Sequence, residues 1–181
     1  MKDSTITLES ASPTQRQVIE NMYPLFIHDQ WAYSDSLPNQ FGIIESALNS
    51  SGTPASTLSE QSEQLAPYWT EAHHHPFLIQ VDEKPAGFCL VQSAPLAPDR
   101  RDFYLDEFFI LHPYRRMRVG RRVFQNLVST RPGQWVVDMK ARNEPAREFW
   151  LTVTTEISRE KVAVIETHNE YGPTIRIEFV V

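Results

Sequence analysis

"FFILHPYRRMRVGRRVFQNLV", residues 108–128, decides how the rest of the chain is read. It begins inside an aromatic strand-like run, "FYLDEFFIL". It ends in a segment that reads as a helix from about Gly120 to Ser129, closed by "RPG". Between the two, Arg115, Arg116, Arg118, Arg121 and Arg122 fall within eight positions around Gly120. A strand that enters a tight basic loop and then a helix is an anion site in outline. The first N–H groups of a helix have no partner within it, and the helix dipole favours negative charge there. Glycine lets a backbone approach a phosphate closely, and arginine adds bidentate, charge-assisted hydrogen bonds. A pyrophosphate with an attached 3′-phosphate would use all of these groups.

The background sharpens the contrast. The chain has 181 residues, 41% of them apolar and 11% aromatic, as expected of one globular domain, 1–181, with its own core. Net charge is −6 and the isoelectric point about 5.5, which argues against a surface given over to nucleic acid. The single cysteine, Cys89, excludes an internal disulfide framework and a multi-cysteine zinc site. It lies in "GFCLV" and is expected to pack as a small hydrophobe. No run of eighteen apolar residues is present, and the opening "MKDSTITLES" lacks the apolar core of a signal peptide. The expectation is a soluble cytoplasmic protein with no membrane association.

Outward from the arginines, the pattern alternates strands and helices. "STITLES" reads as a first strand. "SPTQRQVIENMYPLFIHDQWA" reads as a helix with Ser12 as N-cap, Pro13 at its first position and a stripe of Val18, Ile19, Met22, Leu25 and Phe26. Pro24 should kink or divide it. Residues 34–60 are rich in Ser, Asn, Pro and Gly, with one short helix at "FGIIESALN"; a further short helix falls in "SEQSEQLAPYWTEAHHH". "FLIQV" and "AGFCLVQS" flank "DEKP" as a hairpin. "QWVVDM" is a strand, "NEPAREFWLTV" a helix capped by Asn143, and "KVAVIETH" and "PTIRIEFVV" the last two strands. The order is β-α-α-β-β-β-α-β-α-β-β. It implies an α/β (α+β) domain: a mixed, mostly antiparallel sheet of about seven strands flanked by about four helices.

The quoted stretch resembles the acyl-CoA-binding segment of the GNAT superfamily of N-acetyltransferases. Arg115 fills the first place of the family pattern and Gly120 the last, while Arg118 stands where the family has its middle glycine. "NEPAREFW" resembles the family's next motif through Asn143, Ala146 and Phe149, with Trp150 in place of a tyrosine. The element order is also the family's. "YPLFIHDQWAY", "PYWTEAHHHPFLI" and "EKPAGFCLV" are similar to a bacterial subgroup of acetyltransferases.

The resemblance implies an N-acetyltransferase that takes acetyl-CoA as co-substrate, uses no metal, and acts on a small amine or an exposed protein amine by direct attack on the thioester. The amides of Arg116, Met117, Arg118, Val119, Gly120 and Arg121 would hold the pyrophosphate, with Arg115 heading the loop. Phe109, Ile110 and Leu111 would line the pantetheine arm and the acetyl group, and Asn143 and Phe149 would face the arm from the other side. Arg118 either takes a left-handed φ, at a cost of about 1 kcal/mol, or has an ordinary φ and adds a contact to the 3′-phosphate; the second is the expectation. Indole N–H is no acid at neutral pH. The role of Trp150's tyrosine would therefore pass to Tyr104, to Tyr114, to a water, or to none. Glu107 is the first candidate for the base, on the face shared with Phe109 and Leu111 by the period of two, with Asp106 on the opposite face. His28 and Asp29 are candidates for the acceptor pocket. The family also implies a monomer, or a homodimer paired through its last strands.

Two other functions stay open: a non-catalytic acyl-CoA-binding module, motivated by Trp150 and Arg118, and a nucleic-acid binder using the arginines. The triplet His73, His74, His75 is read as a surface turn, because adjacent side chains point apart and cannot share one ion. Trp135, Phe149 and Trp150 are read as core, and so are Tyr68 and Trp69 unless the acceptor pocket uses them.

Overall fold

The computed structural model describes residues 4–35, 37–40, 63–169 and 172–181. The elements are β1 (Ile6–Ser10), α1 (Arg16–Trp31), α2 (Pro67–Thr70), β2 (His74–Val81), β3 (Lys84–Ser93), β4 (Phe103–Ile110), α3 (Val119–Ser129), β5 (Gln134–Lys140), α4 (Glu144–Ile157), β6 (Ala163–Asn169) and β7 (Gly172–Val180). This is the order expected from the sequence. The helix expected at "FGIIESALN" lies outside the described residues.

One seven-stranded sheet runs β1-β2-β3-β4-β5-β7-β6. Every neighbouring pair is antiparallel except β4 and β5. Helices α1 and α2 cover one face, where Ile19, Phe26 and Tyr68 meet Leu78, Phe88, Leu90 and Phe109. Helices α3 and α4 cover the other, where Phe124, Leu127 and Trp150 meet Cys89, Leu105, Trp135 and Val137. Cys89 is fully buried there, and burial pushes its thiol pKa well up, so it behaves as a hydrophobe.

Three local features explain the element boundaries. Pro13 opens a short 3₁₀ turn that feeds α1, and the Gln15 side chain reaches back to accept from the Ser12 N–H at 2.9 Å. Asn143 caps α4, its Oδ1 accepting from the Ala146 N–H at 3.1 Å. The β2–β3 turn places both Asp82 (φ 50°) and Glu83 (φ 65°) in the left-handed region, the conformation a two-residue hairpin needs. Asp82 offsets that cost by accepting from the Thr5 N–H at 2.9 Å.

Of the kink or division expected at Pro24, division does not occur: α1 is one helix from Arg16 to Trp31. Its buried face is Ile19, Met22, Tyr23 and Phe26, and this packing outweighs the backbone bond that proline removes. Leu25, expected in the apolar stripe, is half exposed, and Tyr23 takes its place.

Candidate active site

The parallel pairing of β4 with β5 is short. It covers Phe103↔Trp135, Tyr104↔Val136 and Leu105↔Val137, and then stops. Strand β4 continues to Ile110 and β5 to Lys140 without pairing to each other. The two strands therefore diverge and leave a wedge in the sheet, with backbone hydrogen-bonding groups along its sides. On the β4 side, Leu111 N–H is used by Ala86 O at 2.8 Å, and Phe109 O lies against Gly87 of β3. By the alternation of an extended strand, Phe108 and Ile110 instead turn their N–H groups toward the wedge. The Ile110 carbonyl already accepts from Arg115 Nε at 2.6 Å.

The arginine loop follows at the end of β4. Arg116 (φ 62°) and Arg118 (φ 61°) both have left-handed backbones. This corrects the expectation of an ordinary φ at Arg118: the loop needs the conformation that a glycine would supply. Among the described residues, nothing accepts from the N–H groups of Arg116 through Arg121; the next amide, Arg122, donates to Arg118 O. Amides around left-handed residues at a helix start make an anion-binding concavity. Gly120 sits where an added Cβ would touch Phe108 and Phe149, both at 3.4 Å, so these two rings close one side of the loop.

The arginine side chains divide into two groups. Arg115 is turned inward: it pairs with Asp29 of α1, bonds to Ile110 O, and lies over the Phe109 ring at 5.4 Å. Arg121 pairs with Glu156 at 2.8 Å. Arg116, Arg118 and Arg122 are exposed and form no ion pair among the described residues.

At the wedge's vertex the strand pairing is irregular. The β3–β4 register passes from Leu90↔Glu107 to Val91↔Leu105, so Asp106 is the extra residue of a β-bulge. The bulge overturns the period-of-two expectation that Asp106 and Glu107 face opposite ways. Asp106 Oδ2 accepts from Tyr68 Oη at 2.5 Å and from Gln92 Nε2 at 3.2 Å, on the α1/α2 side. Glu107, opposite Leu90, is on that side too. Both residues are half-buried. Burial raises the pKa of both. For Asp106 the rise is opposed by the Tyr68 bond, by His74 and by Gln92. For Glu107 the charge of Asp106 adds to it and only Lys140 opposes it. Burial, with Asp106 next, also holds the Tyr104 phenol protonated.

The other sequence candidates are placed as follows. His28 is on the surface, its side chain 77% exposed. Asp29 faces Arg115 and, at 3.8 Å, His112, so it serves the loop and not the vertex. Tyr114 packs with the cluster of Val119 and Val123, away from the vertex. Phe149 stacks on Phe108, with centroids 6.3 Å apart. Trp150 is buried among Phe108, Phe124 and Phe149. Asn143 is buried, and its Oδ1 is engaged as the α4 cap. Of the three histidines, His75 bonds Ser93 Oγ at 3.0 Å while His74 meets the Tyr68 ring. Among the described residues no group of three metal-ligating side chains converges. Sequence reasoning left Tyr68 between core and acceptor pocket and missed Gln92; both reach Asp106 through long-range packing.

The sequence matches the model of the acetyltransferase (GNAT) family over residues 44–153. The chain belongs to the acetyltransferase (GNAT) family. No curated protein matches it. Among solved structures, a Thermus thermophilus acetyltransferase shares 13% identity, with 98% of this chain and 97% of that one covered and a TM-score of 0.68. A Vibrio cholerae spermidine N-acetyltransferase variant shares 10% identity over 97% and 93%, with a TM-score of 0.58. The Escherichia coli ribosomal-protein-S18-alanine N-acetyltransferase shares 12% over 98% and 94%, with a TM-score of 0.55. At these identities the likeness is one of fold. Family membership makes this chain an enzyme of the GNAT acetyltransferase type; the arginine loop follows the end of β4 and the α4 cap follows the end of β5, on the two sides of the wedge's open end.

Proposed function

We propose that this GNAT protein transfers the acetyl group of acetyl-CoA to an amine, either a small amine or an exposed protein amine. The observation that carries the reading is the run of unpartnered amides from Arg116 to Arg121 at the mouth of the wedge. Six successive donors at a helix start, flanked by unpaired arginines, fit a pyrophosphate with a 3′-phosphate. The pantetheine arm then lies in the wedge, where a peptide-like chain finds the free backbone groups of β4.

The amine approaches from the α1/α2 side. Its nitrogen attacks the thioester carbon, the carbon–sulfur bond breaks, and one amine proton passes to Glu107. A wedge-facing N–H of Phe108 or Ile110 donates to the developing oxyanion in this reading. Tyr104 keeps its proton and acts as a hydrogen-bond donor. Its burial makes it a poor acid, and a leaving thiol with a pKa of about 8.5 departs with little assistance. The soluble, cytoplasmic setting and a monomeric or dimeric state belong to the same proposal.

The test is thermal denaturation with acetyl-CoA or with duplex DNA, followed by CoA release over a panel of spermidine, lysine and an N-terminal alanine peptide. The reading expects acetyl-CoA alone to raise Tm and at least one amine to drive steady CoA release. Protection by DNA, and none by acetyl-CoA, would favour a nucleic-acid binder. Protection by acetyl-CoA without turnover would favour a binding module, the reading that buried Trp150 supports.

A further inference from the structure

Two carboxylates, Asp106 and Glu107, share one face at the wedge's vertex because of the β4 bulge. Neighbouring carboxylates in a poorly solvated site do not ionise independently; the environment decides which one keeps the proton. Here the environments differ. Asp106 has two donors on one oxygen, Tyr68 Oη from α2 and Gln92 Nε2 from β3. Glu107 has no hydrogen-bond partner among the described residues. We propose that Tyr68 and Gln92 separate the roles of the two acids, holding Asp106 as the fixed anion so that Glu107 becomes the group that takes and returns the proton.

Among the described residues, these groups face the pair. From α2 comes Tyr68, and from β2 His74, which lies edge-on to the Tyr68 ring at 4.8 Å. From β5 comes Lys140, and from β4 Tyr104, on which Asp138 of β5 also acts. Lys140 donates to Gln30 O of α1 at 3.3 Å and forms no close ion pair with Glu107. Asp138 is occupied by Arg176 of β7 at 2.8 Å. From α1, Met22, Tyr23 and Phe26 pack on the same face of the sheet, against Leu90 and Phe109. Of the two charges acting on Glu107, that of Asp106 outweighs that of Lys140. The Asp106 anion pushes the affinity of Glu107 for a proton upward, toward the range a general base needs. Tyr68 acts through Asp106, so it is a positioning residue and not a catalytic one.

This inference rests on Glu107 as the base, and the experiment keeps the two claims apart. Carboxyl-carbon NMR of the free, full-length protein follows the titration of Glu107 without acceptor or acetyl-CoA. Asp106→Asn keeps the side chain's shape and an acceptor for Tyr68. It is expected to lower the midpoint of Glu107 by about one pH unit or more. Tyr68→Phe is expected to move part of the higher-pH titration step from Glu107 to Asp106. A Glu107 curve unchanged by Asp106→Asn overturns the inference, whether or not Tyr68→Phe folds. The base assignment is tested separately by Glu107→Gln, with acetyl-CoA and the amine panel: retained full turnover overturns that assignment, while the NMR result addresses only the division between the two acids.

Discussion

Gly87→Ala tests the wedge at its narrowest structural tolerance. A Cβ built at Gly87 would lie 2.0 Å from Phe109 O, 3.0 Å from Phe109 C and 3.1 Å from Ile110 Cα, all backbone atoms that cannot rotate away. Ordinary contact begins near 3.4 Å, so β3 and β4 must part. Overpacking against fixed backbone costs about 2–3 kcal/mol, and for a chain of this size Tm should fall by roughly 4–12 °C. The displaced segment, Phe109–Ile110, borders the wedge. In the protein that remains folded, kcat/KM should therefore fall by roughly a hundredfold, as expected of a misplacement of about 1 Å. Gly120→Ala is the control. Its Cβ would meet side-chain atoms alone, of Phe108 and Phe149 at 3.4 Å and of Ile110 at 3.7 Å, so Tm should change by less than about 3 °C. The assay is a thermal melt monitored by tryptophan fluorescence, with initial rates of CoA release. Equal Tm values for Gly87→Ala and the parent protein would refute the reasoning, since they would mean that the β3–β4 approach is looser than described.

The remaining predictions follow from the same geometry. Arg118→Gly relieves a left-handed arginine, so it should leave stability unchanged or raise it by up to about 1 kcal/mol; acetyl-CoA Kd should rise roughly three- to tenfold at low salt and less at high salt, measured by calorimetry. Glu107→Gln should lower turnover by about a hundredfold or more. The same variant should be more stable than the parent at pH 8. A carboxyl whose folded pKa lies above its unfolded value loses stability as pH rises through that interval, so the gain should vanish by about pH 4, read from melts across pH. Trp150→Tyr supplies the family's phenol in a fully packed place; it should cost about 1–2 kcal/mol and leave kcat no higher.

Much of the fold was legible because its signals are local. Asn143 three residues before Ala146, the acids of "DEKP", and the strand–loop–helix change around Gly120 each declare themselves within a few positions. The bulge at Asp106 has no such signal. No glycine or proline marks it, and its partners, Tyr68 and Gln92, are 38 and 14 residues away. A period-of-two reading of "FYLDEFFIL" therefore put the two acids on opposite faces. The left-handed arginines were hidden for a related reason. Arginine disfavours that conformation, and only the loop's joint constraint by Asp29, Ile110 and the α3 start imposes it. Asp29 was a pocket candidate from the family resemblance alone; its pairing with Arg115 links residues 86 positions apart and has no local signal.

The end of α1 bears on timing. Asp29 pairs with Arg115 just beyond β4, and one residue later Gln30 accepts from Lys140 at the end of β5. One helix terminus thus spans the two diverging strands like a crossbar and fixes their separation before any ligand arrives. A gap held open in advance requires no opening step. Acetyl-CoA capture should then be a single exponential whose rate climbs linearly with ligand concentration and shows no plateau.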